Sequence, residues 1–542
     1  MDAFRKRTLD SGPVAWLVVG VAILVVLHHV LKTPRDSREP PYIQSKIPVI
    51  GHLIGIFRNG ANYFNKLDEE YKQGLYALPF LRGRMYIVGS ADWSTAVQKH
   101  DSTVDLYTLT SQAMQKLFCM DDRSMEIVLD NLYGEKGHTS SNIIHAVNEV
   151  MFKSLAPGKD LDELNHNILT SLELVVNGIA GDGKTEKLML WDFTRRRLTG
   201  ATMMAVYGPE NPFAKYASFF DDFWLFDSSA AALMMVPYPS ILARKAYQAR
   251  RRVLDGWIDY ARQGDYKKAS ALIQVRASEC LAHGLTIDQY GLEECRFVPG
   301  LLTNTAPASF WLVSWIFQDA QLLADIRAEI DECIVPGEGN KRIINMAKLK
   351  AQCPLFTSTF LETLRIVSPL NNYRYVREDT MVTNNATEQT HLLKKGSMVQ
   401  LATTVLHGRL DVWGEDVDSF NPSRFIPSLE RARSMKGGGV DPASPFRDAK
   451  GKLHSGSYRP FGGGVHMCPG RHFAQTGIQA LVALFIAGFE MESEPGTGRY
   501  VAPPFGNAKG YMFLSVIQPP RDVEVSLRRR DGYEDVKWEF EM

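Results

Sequence analysis

The sequence has no excess of charge of either sign, because 61 basic residues balance 61 acidic residues in a chain of 542. A neutral chain does not favour bulk binding to nucleic acid, and we expect none. Cysteine is scarce as well. The six cysteines lie far apart without a pairing rhythm, at positions 119, 280, 295, 333, 353 and 468. This spacing argues against a disulfide framework and predicts reduced thiols in a body that faces the cytosol.

One long apolar run lies near the N-terminus, from Val14 to Leu31, and only His28 and His29 interrupt it. Its roughly 18 residues are just enough to cross a bilayer as a helix. The basic residues 5–7 precede it, as in a cleaved signal peptide, but the run is longer than a signal core and no small-x-small cleavage site follows. We therefore expect a membrane anchor over residues 1–32. Basic residues flank the run on both sides, so charge alone leaves its orientation open.

Prolines mark the next boundary. Pro34, Pro40 and Pro41 cannot continue a helix, so residues 33–46 are predicted to form a stiff, extended linker before a globular body over residues 47–542. Two short strands around a turn are predicted at 76–80 and 85–89. Apolar residues at three- and four-residue spacing predict helices at 143–152, 168–179 and 243–260. The fold class is therefore mainly α with small β-sheets.

A single cysteine, Cys468, lies on a glycine-rich loop that begins at Phe461 and leads into an apolar helical pattern. No second cysteine is close, so one thiolate is the candidate metal ligand. A thiolate on haem iron has to stay anionic, and the glycines of the loop allow backbone N–H groups to turn toward it. Phe461 can shield the sulfur, and His466 can reach a haem propionate. A buried structural cysteine is the alternative, but the F-x-x-G-x-x-x-C-x-G spacing is too specific for it.

This loop resembles the cysteine-ligand loop of the cytochrome P450 family, although most members have Arg where this chain has His466. The resemblance implies the cytochrome P450 fold with one N-terminal transmembrane helix. It also implies haem b, with Cys468 as the axial ligand of the iron. Gly470 would then open the next helix under the macrocycle, where a Cβ would collide. The implied haem-binding residues are Cys468, Phe461, Gly464, His466, Gly470 and Arg374.

Three charged residues are expected to stabilise the cysteine loop. Glu362 and Arg365 are three positions apart in a helical stretch, and on a surface such a pair contributes only about 0.5 kcal/mol. Arg424 follows about 60 residues later, in the order that the family has. The resemblance implies that these three form a buried cluster that braces the haem loop, with a structural role and no catalytic one.

For three of the candidate haem contacts, a surface position is the alternative. Arg374 is at a strand position that binds a propionate in the family, and the alternative is a solvated arginine on an edge strand. His138 and His145 are in the region of the family's propionate-contacting helix, but the usual Trp and Arg of that helix are absent. For these two histidines a surface position is the alternative.

The segment 300–317 predicts an apolar helix with a polar centre made of Thr303, Asn304 and Thr305. Pro307 removes one helical hydrogen bond and pushes against the carbonyl of Thr303, so we expect the backbone to open there and form a polar notch. In the family, an acid and an alcohol at this place relay protons during oxygen activation, and here Thr303 and Asn304 occupy those positions.

The Asn-Pro pattern of this helix resembles sterol 7α- and 12α-hydroxylases and prostacyclin synthases. Neither Thr303 nor Asn304 is an acid, so proton delivery would run through water held by the Asn304 amide or the threonine hydroxyls. Prostacyclin synthase isomerises a peroxide and needs no such relay, so the same pattern also permits an enzyme that is not an oxygenase.

The resemblance implies a monooxygenase that oxidises a small apolar substrate, such as a sterol or terpenoid, in secondary-metabolite or sterol-related biosynthesis. It would use O2 and electrons from an NADPH-dependent cytochrome P450 reductase, with cytochrome b5 as a further partner. Two other functions stay open: a haem-thiolate isomerase or dehydratase, and a membrane haem sensor without turnover.

We expect a single-pass protein of the endoplasmic reticulum membrane, with the catalytic domain facing the cytosol. The apolar segment 233–239 resembles the membrane-dipping access loop of the family. A buried interdomain loop is the other interpretation of this segment.

Overall fold

The structure is a computed structural model. It describes residues 16, 34–47, 50–60, 62–80, 83–137, 141–180, 184–368, 371–434, 441–444, 446–505 and 516–542. The predicted anchor lies outside these residues except for Trp16, and so does His138. Within the described part of the chain, no helix combines the length and the apolar character needed to span a bilayer.

Helices dominate the described residues. The α-helices are α1 Gly51–Asn59, α2 Asn62–Tyr71, α3 Ala91–Gln98, α4 Tyr107–Lys116, α5 Asp122–Leu129, α6 Ile143–Leu155, α7 Lys159–Asn177, α8 Leu190–Tyr207, α9 Pro212–Lys215, α10 Phe219–Ser228, α11 Ala230–Met235, α12 Pro239–Leu242, α13 Arg244–Gln263, α14 Ala271–Ala282, α15 Ile287–Leu302, α16 Thr305–Gln318, α17 Ala320–Asp331, α18 Met346–Gln352, α19 Pro354–Val367, α20 Thr403–His407, α21 Leu410–Trp413, α22 Ile426–Arg433 and α23 Arg471–Gly488.

The strands are short. They are β1 Leu75–Phe80, β2 Gly83–Val88, β3 Val104–Asp105, β4 Glu186–Met189, β5 Ile334–Pro336, β6 Lys341–Asn345, β7 Asn371–Val376, β8 Thr380–Asn384, β9 Gln389–Leu393, β10 Met398–Ala402, β11 Phe446–Arg447, β12 Leu453–His454, β13 Phe489–Glu492, β14 Glu524–Arg529 and β15 Lys537–Glu541. The mainly α class with small sheets is confirmed.

The chain divides into two compact units, and the first contains the described residues of 16–106 and 371–405. Its largest sheet has the order β1-β2-β10-β7-β3. β1 and β2 pair antiparallel from Leu75–Val88 to Phe80–Gly83, which confirms the two strands predicted from sequence. β10 runs parallel to β2 and antiparallel to β7. Alternate side chains of these strands pack into a core with α3, through Tyr86, Val88 and Val97.

The proline-rich segment after the predicted anchor is attached to this sheet. Ala77 donates its N–H to the carbonyl of Pro41 and accepts from the N–H of Ile43, at 2.9 and 3.0 Å. The buried carboxylate of Glu39 accepts from the guanidinium of Arg84 at 2.5 Å and from the hydroxyl of Tyr86 at 2.6 Å. The segment is therefore held along β1 by backbone pairing and by one ion pair.

The second unit contains the described residues of 107–370, 406–508 and 513–542. The three helices predicted from apolar spacing are confirmed as parts of α6, α7 and α13. Their apolar faces pack into one large core around α16 and α23, both of which are almost entirely buried. A helix that is apolar on all sides requires neighbours on all sides, and this explains the central position of α16 and α23.

Candidate functional site

The cysteine loop connects the core to the first turn of α23. Gly462 and Gly464 have φ values of 76° and 64°, which is the left-handed region that favours glycine. This turn allows the N–H of Cys468 to donate to the carbonyl of Phe461 at 2.9 Å. α23 begins at Arg471, directly after Gly470, so the positive end of the helix dipole lies beside the sulfur.

The surroundings of the Cys468 thiol act on its pKa in two directions. Burial raises the pKa above its ordinary value, and the backbone N–H of Gly470 and the positive charge of Arg471 offset only part of this rise. Donors and positive charge that face the sulfur stabilise the thiolate form. All six cysteines are free thiols, so the sulfur of Cys468 is available as a ligand.

The residues of the loop fit a haem. Among the described residues, no three side chains of His, Cys, Asp or Glu come together as a metal site, so Cys468 is a lone protein ligand. A lone thiolate suits iron that already has the donors of a macrocycle. A Cβ built on Gly470 would meet only the sulfur of Cys468, at the ordinary contact distance of 4.0 Å. The protein itself thus leaves space at Gly470 on the side of the sulfur.

Glu362, Arg365 and Arg424 form one buried cluster. The carboxylate of Glu362 accepts from Nε and Nη2 of Arg365, each at 2.8 Å, and from Nε of Arg424 at 3.0 Å. The other guanidinium nitrogens donate to backbone carbonyls, among them those of His407 at 2.8 Å and Trp413 at 2.6 Å, and Arg424 also donates to the carboxylate of Asp416 at 2.9 Å. The two arginines therefore connect α19 to the chain between α20 and α22.

His407 links this cluster to the start of the cysteine loop. Its Nδ1 lies 2.8 Å from the carbonyl of Arg365, and its Nε2 accepts the N–H of Arg459 at 3.0 Å. Burial lowers the pKa of His407 to about 3, so the ring is neutral and carries its proton on Nδ1. Arg459 is two residues before Phe461, so His407 positions the chain that enters the loop. No sequence motif pointed to this residue.

The predicted apolar helix at 300–317 is broken in two. α15 ends at Leu302 and α16 begins at Thr305, with Pro307 in its first turn. Pro307 has no N–H to donate to the carbonyl of Thr303, as the sequence suggested. The Thr305 hydroxyl donates to the carbonyl of Leu301 at 2.9 Å. The Thr303 hydroxyl donates to the carbonyl of Pro299 at 2.9 Å.

Both threonine protons at the break are therefore used within the backbone. Their hydroxyls keep acceptor capacity only.

Asn304 is tied to the C-terminal part of the chain. Its amide oxygen accepts the N–H of Val516 at 3.0 Å. The next residue, Ile517, donates to the carbonyl of Val367 at 2.9 Å and accepts from the indole N–H of Trp311 at 2.7 Å. In the described part of the chain, the amide nitrogen of Asn304 has no hydrogen-bond partner. The break thus presents the NH2 group of Asn304 and the carbonyl of Thr303.

Comparison with known proteins assigns this arrangement to a family. The family model described as Cytochrome P450 matches residues 296–513, which include the helix break, the charged cluster and the cysteine loop. The chain is 28% identical to Cytochrome P450 monooxygenase nodJ of Hypoxylon pulicicidum, over 97% of this chain and 96% of that protein. These matches support the cytochrome P450 family for this chain. It is a haem-dependent monooxygenase.

Two more distant likenesses agree with this assignment. The chain is 24% identical to the 25-hydroxycholesterol 7-alpha-hydroxylase of Rattus norvegicus, over 68% of this chain and 86% of that protein. The solved structure of retinoic acid bound cyanobacterial CYP120A1 superimposes with a TM-score of 0.62 at 15% identity, over 91% of this chain and 100% of that chain. The structural likeness supports the cytochrome P450 fold.

The structure places the remaining residues that the sequence predicts as haem contacts. In the second unit, the rings of His466 and His145 pack edge-on against Tyr107, with centroids 5.3 and 5.2 Å away. His145 is also bonded to the carbonyl of Leu132 at 2.9 Å. Position 466, where most members have Arg, therefore lies in a small aromatic cluster that includes one of the two histidines singled out from sequence.

Arg374 is in the first unit, on β7. Its side chain is buried, and it donates to the amide oxygen of Asn372 at 2.6 Å and to the carbonyl of Tyr373 at 2.8 Å. β7 lies between β10 and β3, so the alternative of a solvated arginine on an edge strand is wrong.

Proposed function

We propose that this cytochrome P450 oxidises an apolar, polycyclic substrate of the sterol or terpenoid class. O2 would be the oxidant, and an NADPH-dependent cytochrome P450 reductase would supply electrons, with cytochrome b5 as a further donor. The observation that carries the proposal is the lone thiolate of Cys468 at the start of α23, with the charged cluster and His407 beside its loop. The names of the relatives support a place in secondary-metabolite or sterol-related biosynthesis.

Cys468 would hold the haem iron, with Phe461, Gly464, His466 and Gly470 as the haem-binding residues of its loop. Arg374 stays a propionate contact predicted from the family resemblance. When bound, the haem supplies the activation of dioxygen, to which a thiolate ligand contributes electron density. The chain's own part is to keep the thiolate anionic and the loop rigid. Glu362, Arg365 and Arg424 would act only as a structural brace for this loop.

At the helix break, Asn304 would position a water molecule that delivers protons. Its NH2 group can donate to a water, and the carbonyl of Thr303 can accept from the same water. The hydroxyls of Thr303 and Thr305 can accept but cannot donate, because their protons are engaged. Asn304 is therefore the central residue of the three predicted catalytic residues, and the two threonines shape the break.

The surface around α11 and α12 supports a membrane-bound enzyme with an apolar substrate. Four large apolar residues of one short segment are exposed: Met235, Tyr238, Ile241 and Leu242. This exposure favours a membrane-dipping access loop over a buried interdomain loop. With the predicted anchor at 1–32, it supports a single-pass protein of the endoplasmic reticulum whose catalytic domain faces the cytosol.

The test combines a spectrum with a turnover assay. The reduced protein with CO is expected to give a thiolate-type band in the blue part of the spectrum, and Cys468→His is expected to lose that band. With reductase, NADPH and a panel of sterols and terpenoids, the wild type is expected to form oxygenated products. No spectral response to any member of the panel would argue against the substrate class.

One observation favours a second candidate, a haem-thiolate isomerase: no carboxylic acid is present at residues 303–305. A peroxide isomerase needs no proton relay at this place. Turnover of a peroxide substrate without reductase and NADPH would decide for the isomerase.

A further inference from the structure

Helix α10 carries three aspartates, and two of them have ion-pair partners. Asp221 accepts from the guanidinium of Arg196 at 2.7 Å, and Asp222 accepts from that of Arg252 at 2.7 Å. The third, Asp227, has no hydrogen-bond or ion-pair partner in the part of the chain that the structure describes. Its side chain is half-buried. A carboxyl that is neither fully exposed nor paired requires an explanation.

The surroundings of Asp227 are apolar. The residues one, three and four positions before it are Phe226, Trp224 and Phe223, and all three are buried. Burial alone raises the pKa of Asp227 to about 7, with no contribution from a neighbouring charge. A carboxylate in such a place costs free energy that the fold does not recover. A ligand with a hydrogen-bond donor would recover it.

Aromatic contacts connect the face of α10 that carries Asp227 to α8 and α16. Asp227 and Trp224 are three residues apart, and so on the same face of α10. The ring of Trp224 contacts that of Trp191 of α8, with centroids 6.2 Å apart, and Trp191 contacts Phe310 of α16 at 5.8 Å. This face of α10 is therefore connected through Trp191 to the helix that follows the break. In the chain, Asp227 also shortly precedes the exposed apolar segment 235–242.

We propose that Asp227 determines specificity by binding a hydrogen-bond donor on the otherwise apolar substrate, either a hydroxyl or an ammonium group. This inference rests on the proposed function, because it needs a substrate beside α16. A carboxyl suits both donors, since it accepts from a hydroxyl in either protonation state and pairs with an ammonium group when ionised.

The experiment uses alkyl imidazoles of graded chain length. Their imidazole nitrogen binds haem iron, and their alkyl tail extends into the substrate-binding space. Each length is made with a methyl, a hydroxyl or an ammonium end, and dissociation constants are read from the absorption spectrum of the full-length protein. At the best length, the wild type is expected to bind the hydroxyl and ammonium tails about tenfold more tightly than the methyl tail.

Three variants locate this preference. Asp227→Asn is expected to keep the preference for the hydroxyl and to lose that for ammonium. Asp227→Leu is expected to lose both. Asp221→Asn, on the same helix but paired at the surface, is the matched control and is expected to behave as the wild type. Asp227→Asn is also expected to unfold no earlier than the wild type, because it removes an unpaired carboxylate. This separates a ligand role from a structural one.

Two outcomes would overturn the inference. Equal affinity of the wild type for the three tails at every length, or an unchanged preference in Asp227→Leu, would show that Asp227 meets no donor. If the spectrum of the wild type does not respond to any imidazole, the result would contradict the proposed haem site and, with it, this inference.

Discussion

Two polar regions of the second unit differ in how completely their groups are paired. Around Glu362, both carboxylate oxygens and every guanidinium nitrogen of Arg365 and Arg424 have partners. On α10 and at the helix break, the Asp227 carboxyl and the Asn304 amide nitrogen have none among the described residues. Paired buried groups hold a fold together, whereas unpaired ones cost free energy until a ligand or a water meets them. The comparison separates residues that stabilise the protein from residues available for chemistry.

The largest effect on the free energy of unfolding is expected from a change in the paired cluster of Glu362, Arg365 and Arg424. Glu362→Gln removes the carboxylate that the buried guanidinium groups of Arg365 and Arg424 share, although Arg424 keeps its ion pair with Asp416. We expect a loss of about 3 to 5 kcal/mol in the free energy of unfolding. Urea unfolding followed by circular dichroism measures it. Glu539→Gln is the control, because Glu539 pairs with Lys341 at the surface, and it is expected to cost less than about 1 kcal/mol. A loss of stability in Glu362→Gln as small as that of the control would show that the paired cluster does not stabilise the fold.

The second prediction concerns pH and His407. Its pKa in the folded protein is lowered from 6.5 to about 3, so the unfolded chain binds a proton that the folded protein does not. The stability that comes from the neutral ring is complete above about pH 6.5 and is lost as the pH falls toward 3. Between pH 7.5 and pH 4.5, we expect the wild type to lose about 3 kcal/mol more than His407→Gln.

Unfolding curves at several pH values measure this difference. Parallel pH profiles of the wild type and His407→Gln would show that the ring is not held neutral.

His407 was not predicted from the sequence, unlike the charged cluster that it contacts. The Glu362, Arg365 and Arg424 cluster was predicted because family motifs stand in a fixed order, and β1, β2, α6, α7 and α13 were predicted because their apolar periods are regular. His407 has no motif. Its role comes from contacts with Arg365 and Arg459, which lie 42 and 52 residues away in the chain. Such contacts depend on packing and leave no local pattern.

The helix break was predicted only in part, because some of its contacts also join residues that are distant in the chain. Pro307 indicates an opened backbone, because its chemistry is local. The partner of Asn304 is 212 residues away, and the partners of the threonine hydroxyls depend on how the backbone opens. Asp227 was missed because an aspartate in an aromatic helix suggests a surface position. Asp227 differs from the other two aspartates of α10 only in the structure, where Asp221 and Asp222 have ion-pair partners and Asp227 has none among the described residues.

The third prediction concerns the effect of the unpaired Asp227 carboxyl on the free energy of unfolding. The pKa of Asp227 is raised from 3.8 to about 7, so the folded protein holds a proton that the unfolded chain releases. Stability from this group is present at low pH and is lost as the pH rises through this range. The stability of Asp227→Asn relative to the wild type is expected to be about 2 to 3 kcal/mol greater near pH 8 than near pH 5. Destabilisation at both pH values would mean that Asp227 is paired after all.

The smallest effect on stability is expected at Asn304, where the change should appear in chemistry. Asn304→Asp keeps an oxygen that accepts from Val516 but loses the NH2 group, whereas Asn304→Leu loses both. If the NH2 group positions a proton-delivering water, Asn304→Leu is expected to form about tenfold less product per NADPH consumed, with the difference released as hydrogen peroxide. Asn304→Asp introduces a carboxyl that can itself carry protons, so its yield is expected to exceed that of Asn304→Leu and to depend on pH. A yield in Asn304→Asp that does not change with pH would assign Asn304 to holding the C-terminal segment. The helix break would then belong with the paired, structural region.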